Sequence, residues 1–232
     1  MAGTFRTIMA AGRCGLLACL LCFAALSPAH SDITQVSARQ FDALAYHAVV
    51  RNGGITGSAF AISSGIAVTN AHVLRGVGRG ETVTMAVPGR GGMRVRAVVL
   101  AISNRADLAF LRIPTNILPV VQPAAGTVRR DAVIVAAGVV AASARSGGRM
   151  VATGSVVAIG RHIPRYGPGF VANVPGARHG FSGGPVFDAR GRLVGILAAI
   201  RPGRTAAGGN DAYIIATAEI WREMRRHSQR PV

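Results

Sequence analysis

Lysine is absent from this chain: all 26 basic side chains are arginine, set against only 9 acids. Aromatic residues make up 5% of the sequence, and the three cysteines, Cys14, Cys19 and Cys22, all fall near the start. Each shortage excludes something. Beyond residue 22 no disulfide can form, so whatever folds there is held by its core alone. Cysteine-type metal sites go with the same count, and the six scattered histidines offer no short pair such as H-E-x-x-H. We therefore expect no metal and no cofactor. The longest apolar run near the start, Cys14 to Leu26, is shorter than the roughly 20 residues a membrane-spanning helix needs. Without basic runs or interleaved aromatics, a nucleic-acid groove is not expected either.

What is present begins with a leader. Arg6 and Arg13 precede the apolar run, and Ser27-Pro28-Ala29 places small residues where a signal peptidase reads. Residues 1–29 read as a cleaved secretory signal, an uncleaved anchor being the alternative, so the product is expected to be exported, either periplasmic or secreted. The whole chain carries a formal charge of +17, which falls to +15 without Arg6 and Arg13. Such a surface attracts anionic partners, an envelope surface among them. Because the arginines are spread along the chain, a solvated basic surface is the reading preferred for them.

Half of the sequence is hydrophobic, with 30 glycines and 11 prolines, which favours short strands and turns over long helices. Strand patterns run over 45–50, 57–62, 66–69, 82–87, 94–102 and 108–113, with Asn52-Gly53-Gly54 turning the first hairpin. Pro114, Pro119, Pro123 and Gly126 mark a linker. A second set follows at 132–137, 154–159, 170–174, 185–187, 193–198 and 212–216, with 188–191 as a tight turn. Thr217 can cap a final helix in which Ile220, Trp221 and Met224 have helical spacing and Arg222, Arg225 and Arg226 face its negative pole. The expectation is an all-β protein of two six-stranded antiparallel barrels, 30–120 and 121–232, with a short C-terminal helix.

Chemistry is concentrated in "HGFSGGPVFD", residues 179–188. Gly180-Phe181-Ser182-Gly183-Gly184 fits the G-x-S-x-G elbow of esterases, but that elbow needs a helix after the serine and a histidine further on. Here a strand follows, and the one later histidine is His227 in an arginine-rich tail. The competing arrangement has its partners upstream, in "TNAHVL" around His72 and "RADLAFLRI" around Asp107. With "GFSGGPVFDARGRLVGI", these phrases resemble the three signatures of chymotrypsin-like serine proteases, closest to the bacterial HtrA (Deg) type. The resemblance covers roughly residues 45–226. Separations of 35 residues from His72 to Asp107 and 75 from Asp107 to Ser182 suit one barrel supplying His and Asp and the next supplying Ser.

The resemblance implies a serine endopeptidase acting on proteins or peptides. Ser182 would be the nucleophile, His72 its base and Asp107 the group that orients the histidine, while the amides of Gly180 and Ser182 would form the oxyanion hole. It also places a specificity pocket with its wall at Leu197, Ala198, Ala199 and Ile200 and its base near Gly176 and Ala177. That lining holds no acid and is narrowed by Ile200, so small or medium aliphatic residues are expected before the cleaved bond. Three positions depart from the family. Phe181 replaces the Asp of secreted trypsins and the Asn usual in the HtrA type, His179 stands where that type has Pro, and Ala198 replaces a serine that touches the catalytic Asp. The HtrA type usually adds PDZ domains, for which the roughly 50 residues after Ser182 leave no room, so PDZ-type partner binding is not expected. The competing reading is a silent protease-fold module that binds an anionic envelope partner, its hole closed by Phe181.

Overall fold

The computed structural model describes residues 41–87, 91–140, 148–202 and 209–228. The signal expected at 1–29 lies outside these residues. A 3₁₀ turn at Ala43–Tyr46 leads into β1 (His47–Asn52), β2 (Ile55–Ser63) and β3 (Ile66–Thr69). A second 3₁₀ turn, Ala71–Leu74, precedes β4 (Thr82–Val87), β5 (Met93–Ile102) and β6 (Ala109–Arg112). These six close into an antiparallel barrel in the order β1-β2-β3-β6-β5-β4. Then come β7 (Val133–Val139), β8 (Arg149–Ile163), β9 (Gly167–Asn173), β10 (Pro185–Asp188), β11 (Leu193–Pro202) and β12 (Asn210–Ala216), followed by helix α1 (Thr217–Ser228). They close a second barrel in the order β10-β11-β12-β9-β8-β7.

Among the described residues, three large apolar clusters and a small one of Val49 and Val139 hold this together. Val50, Met85, Val99 and Leu111 fill the first barrel, and Ile134, Phe170, Phe181 and Ile214 fill the second. A third cluster lies between them, where Phe60, Val68 and Phe110 meet Phe187, Ile196, Tyr213 and Ile220. Phe187 is wholly buried and lies edge-on to Phe41 at 4.7 Å; burying one such side chain stabilises by about 1.5–3 kcal/mol. The proline-marked linker stitches the barrels together: Val121 N–H donates to Ala61 O on β2, and Ala124 N–H to Leu193 O on β11. Function at the junction of the barrels thus rests on a packed, hydrogen-bonded seam.

Most strand expectations hold within a few residues, but β8 runs from 149 to 163 instead of 154 to 159. Its outer end is exposed and breaks register at Val156/Ala158 and Ala158/Arg161. Bulges of this kind erase the two-residue alternation by which a strand is recognised. Thr217 opens α1, yet its hydroxyl donates to Leu193 O, 3.0 Å away on β11.

The helix arginines pair within their own helix, Arg222 with Glu219 and Arg226 with Glu223. Glu223 also accepts from Ser103 Oγ at 2.6 Å, and that oxygen in turn accepts from the amides of Arg105 and Ala106. Burial pushes the Glu223 carboxyl upward, but the hydrogen bonds from Ser103 and Arg226 and the nearby charges outweigh it and leave it below the ordinary carboxylate value. A carboxyl depressed on folding adds stability above its unfolded pKa and gives it up as pH falls through the folded one. Glu223→Gln should therefore lower the melting temperature at pH 7, by a margin that shrinks as pH falls below the ordinary carboxylate range, as thermal melts across that range would show.

Candidate active site

Residues 70–74 turn sharply at the end of β3 and carry His72 at the seam. Its ring Nδ1 lies 2.6 Å from Asp107 Oδ2, and its backbone N–H donates to Asp107 Oδ1 at 2.9 Å. Asp107 is 6% exposed, so this pair sits in a low-dielectric setting where a charge-assisted hydrogen bond is strong. The loop behind it is anchored from three sides. Asn70 Nδ2 donates to the Asp107 backbone oxygen at 2.8 Å, Asp107 N–H reaches Tyr166 O in the second barrel at 3.3 Å, and Ser103 gathers the amides of Arg105 and Ala106. Ala198 brings no hydroxyl to Asp107; both carboxylate oxygens are held by His72 itself.

Ser182 lies in the turn that enters β10 and is half-buried. Its hydroxyl is directed at Ala198 O, 3.5 Å away, and the described hydrogen bonds include none between Ser182 and His72. Hydrogen bonds of this kind are commonly loose before substrate arrives. The backbone around it alternates between pinned and free. Phe181 N–H donates to Arg178 O, Gly183 N–H to Leu197 O and Gly184 N–H to Phe181 O. Among the described residues, the amides of Gly180 and Ser182 donate to no acceptor within the chain. Gly180 takes φ +104°, a conformation that side-chain-bearing residues rarely adopt.

Phe181 does not project into the cleft. Its ring is fully buried in the second barrel and packs over Gly138 of β7, where an added Cβ would stand 2.3 Å from the ring's Cγ. Nothing in the sequence pointed to Gly138, because the contact pairs residues 43 apart. The same holds for Asn70, which was visible in "TNAH" but had no role until its amide was seen under Asp107.

The expected specificity residues separate by environment. Leu197, Ala198 and Ala177 are covered, whereas Gly176, Ala199 and Ile200 are half-buried. The pairing of β11 with β12 shifts register between Leu197 and Ala199, at this point. Beside Gly176 lie Ala152 and Met150, and Arg178 directs its guanidinium at the carbonyl oxygens of Pro175 and Ala177. A cavity of about 610 Å³ lies elsewhere, lined by Leu44, His47, Ile117 and Arg149 among others, and it contains none of His72, Asp107 or Ser182.

Residues 57–196 match the family model described as the trypsin-like peptidase domain. Over 171 residues the chain is 30% identical to HhoB of Synechocystis sp., a match that takes in 71% of this chain and 38% of that protein's length. Among solved structures, an HtrA-type protease, AlgW, in an alanine variant with a tripeptide, is similar at TM-score 0.66 and 25% identity, covering 84% of this chain and 63% of that one. A serine endoprotease from Yersinia pestis shares the fold at TM-score 0.64 and 23% identity over 84% of this chain and 66% of that one. An inactive form of Rv3671c from M. tuberculosis does so at 0.63 and 22%, over 82% and 90%. With two six-stranded barrels, a His–Asp pair on the first, a glycine-flanked serine on the second, and a family match across most of both, the chain belongs to the trypsin-like peptidase domain family.

Proposed function

We propose that this chain is an exported serine endopeptidase that cleaves protein or peptide substrates through an acyl-enzyme on Ser182. The observation that carries the reading is the pair of unoccupied amides, Gly180 and Ser182, interleaved with the hydrogen-bonded amides of Phe181, Gly183 and Gly184. Gly180 is buried and Ser182 half-buried; buried backbone N–H groups are nearly always paired, and a free donor at Gly180 beside the serine's own amide suits an oxygen that becomes negative during the reaction. The buried Asp107 keeps the proton of His72 on Nδ1 and stabilises the imidazolium, leaving Nε2 free to act as base. As substrate seats, the Ser182 hydroxyl leaves Ala198 O and gives its proton to His72 while Oγ attacks the carbonyl carbon. The carbonyl oxygen moves into the hole, His72 protonates the departing amine, and a water activated by the same histidine then releases the acyl group.

The pocket favours small or medium aliphatic residues. Its floor beside Gly176 is apolar, formed by Ala152 and Met150, Ile200 narrows the wall, and the Arg178 guanidinium at the base opposes a cationic side chain. In a panel of chromogenic peptides, kcat/KM should peak at Ala or Val before the scissile bond and fall at least about tenfold for Arg. Ile200→Gly should move the optimum toward Leu. When the full chain is expressed in a host with a secretory pathway, the purified product should begin after Ala29. An Arg optimum would overturn the pocket reading, and an intact leader in the product would overturn processing.

A further inference from the structure

A histidine unused by the proposed mechanism is joined to the catalytic loop. His47, at the start of β1, is 1% exposed, and its Nε2 lies 2.8 Å from Ser58 Oγ on β2. That hydroxyl lies 2.7 Å from Gly180 O, across the seam between the barrels. A carbonyl oxygen can only accept, so the single Ser58 proton is committed to Gly180, and His47 must donate through Nε2–H. The direction of both bonds and the tautomer of the ring follow. Nδ1 is left without a proton and has no partner. Burial, and secondarily the charge of Arg149, push His47 down to about 3, so it stays neutral.

Ser58 grips the loop twice. Besides its hydroxyl, its backbone N–H donates to Ser182 O at 2.8 Å. The loop runs so close that a Cβ on Gly183 would lie 2.0 Å from Ser58 O, and that same carbonyl oxygen accepts from buried Thr69 at 2.7 Å. The peptide plane between Gly180 and Phe181 is thereby fixed at both ends, by Ser58 Oγ and Arg178 O. The plane between Ser182 and Gly183 is fixed by Ser58 N–H and Leu197 O. Each of these two planes adjoins a peptide bearing one of the free amides. Rotation of either pinned plane would swing a donor away from the hole.

We propose that Ser58, oriented by His47, is a positioning residue that holds the Gly180 and Ser182 amides in oxyanion-binding geometry. The inference rests on the peptidase reading above. Neither residue touches the reacting atoms, so their effect is on the transition state through backbone placement. Displacing a catalytic group by about 1 Å can cost on the order of 10²-fold, and losing one oxyanion donor costs on the order of 10²- to 10³-fold.

The test uses the whole processed protein and Ser58→Ala, His47→Phe and His47→Gln, the last keeping an N–H donor near the position of Nε2. Ser58→Ala and His47→Phe should lower kcat by about 10- to 100-fold and leave KM within about threefold, with His47→Gln recovering most of the rate. Inhibition by a peptide boronic acid, which fills the hole as a tetrahedral anion, should weaken in step with kcat/KM. Amide hydrogen exchange at residues 178–184 should rise about tenfold or more in Ser58→Ala while β2 and β11 stay protected. Unchanged exchange in that loop together with parental kcat would overturn the proposal. If the parent hydrolyses nothing, the peptidase reading falls on its own, and the exchange comparison still decides whether Ser58 holds the loop.

Discussion

Ser182→Ala lowers peptide hydrolysis by on the order of 10⁶-fold, the scale seen when the nucleophile of a serine triad is removed, with the fold unaltered. The side chain is half-buried and its hydrogen bond to Ala198 O is long, at 3.5 Å, so losing one oxygen removes little from stability. The backbone contact of the residue, from Ser58 N–H to its carbonyl oxygen, is independent of the side chain, as is its free amide. What disappears is the atom that forms the acyl bond. His72, Asp107 and the hole remain, and they give only the residual rate enhancement of a bound, polarised amide attacked by water. Steady-state assays on a casein or peptide substrate, with circular dichroism on the same samples, separate the two quantities. Activity near the parental level in the variant would remove Ser182 from the mechanism.

Gly138→Ala acts on both stability and activity through Phe181. The new Cβ would be 2.3 Å from Cγ and 2.6 Å from both Cδ atoms of the ring, well inside contact distance, and strand β7 is tied on both sides by β8 and β10. The ring must therefore give way, and Phe181 lies between the two residues whose amides we assign to the hole. Overpacking of this kind costs about 1–3 kcal/mol, which for a chain of this size corresponds to a fall of roughly 2–12 °C in melting temperature. The rate should fall at least about tenfold as Gly180 and Ser182 are displaced. Phe181→Ala relieves the clash, so the double variant should lose less stability than the sum of the two single changes. Thermal melts and kcat measured on all four proteins of the cycle check this; additive losses would show that the two side chains do not share a space.

The barrels were readable because most of their strands are short, bounded by glycine or proline, and paired with neighbours nearby in sequence. β3 and β4 fall at their expected residues for that reason. The long β8 was legible only over 154–159; it runs on through two register irregularities toward its exposed end at Ile163, beyond the length of an ordinary strand. His72, Asp107 and Ser182 could be singled out because each lies in a short phrase of characteristic residues. The parts that shape the site were silent for a physical reason. Ser58 reads as a small polar residue in a strand, and its partners come from two other segments, His47 from β1 and Gly180 and Ser182 from the loop before β10. Gly138 is one glycine among 30, distinguished only by the ring above it. Phe181, which looked as if it might close the hole, is accommodated by that missing side chain.

The central claim is that His72, Asp107, Ser182 and the two free amides form one reactive site, and labelling with a fluorophosphonate probe tests it most directly. The probe phosphonylates a serine only when a base deprotonates it and the hole accepts the phosphoryl oxygen. The account predicts stoichiometric labelling of the parent at Ser182, none in Ser182→Ala, and labelling slowed by several orders of magnitude in His72→Ala. A parent that is folded by circular dichroism yet takes up no probe would contradict the account, leaving the family's fold without its chemistry.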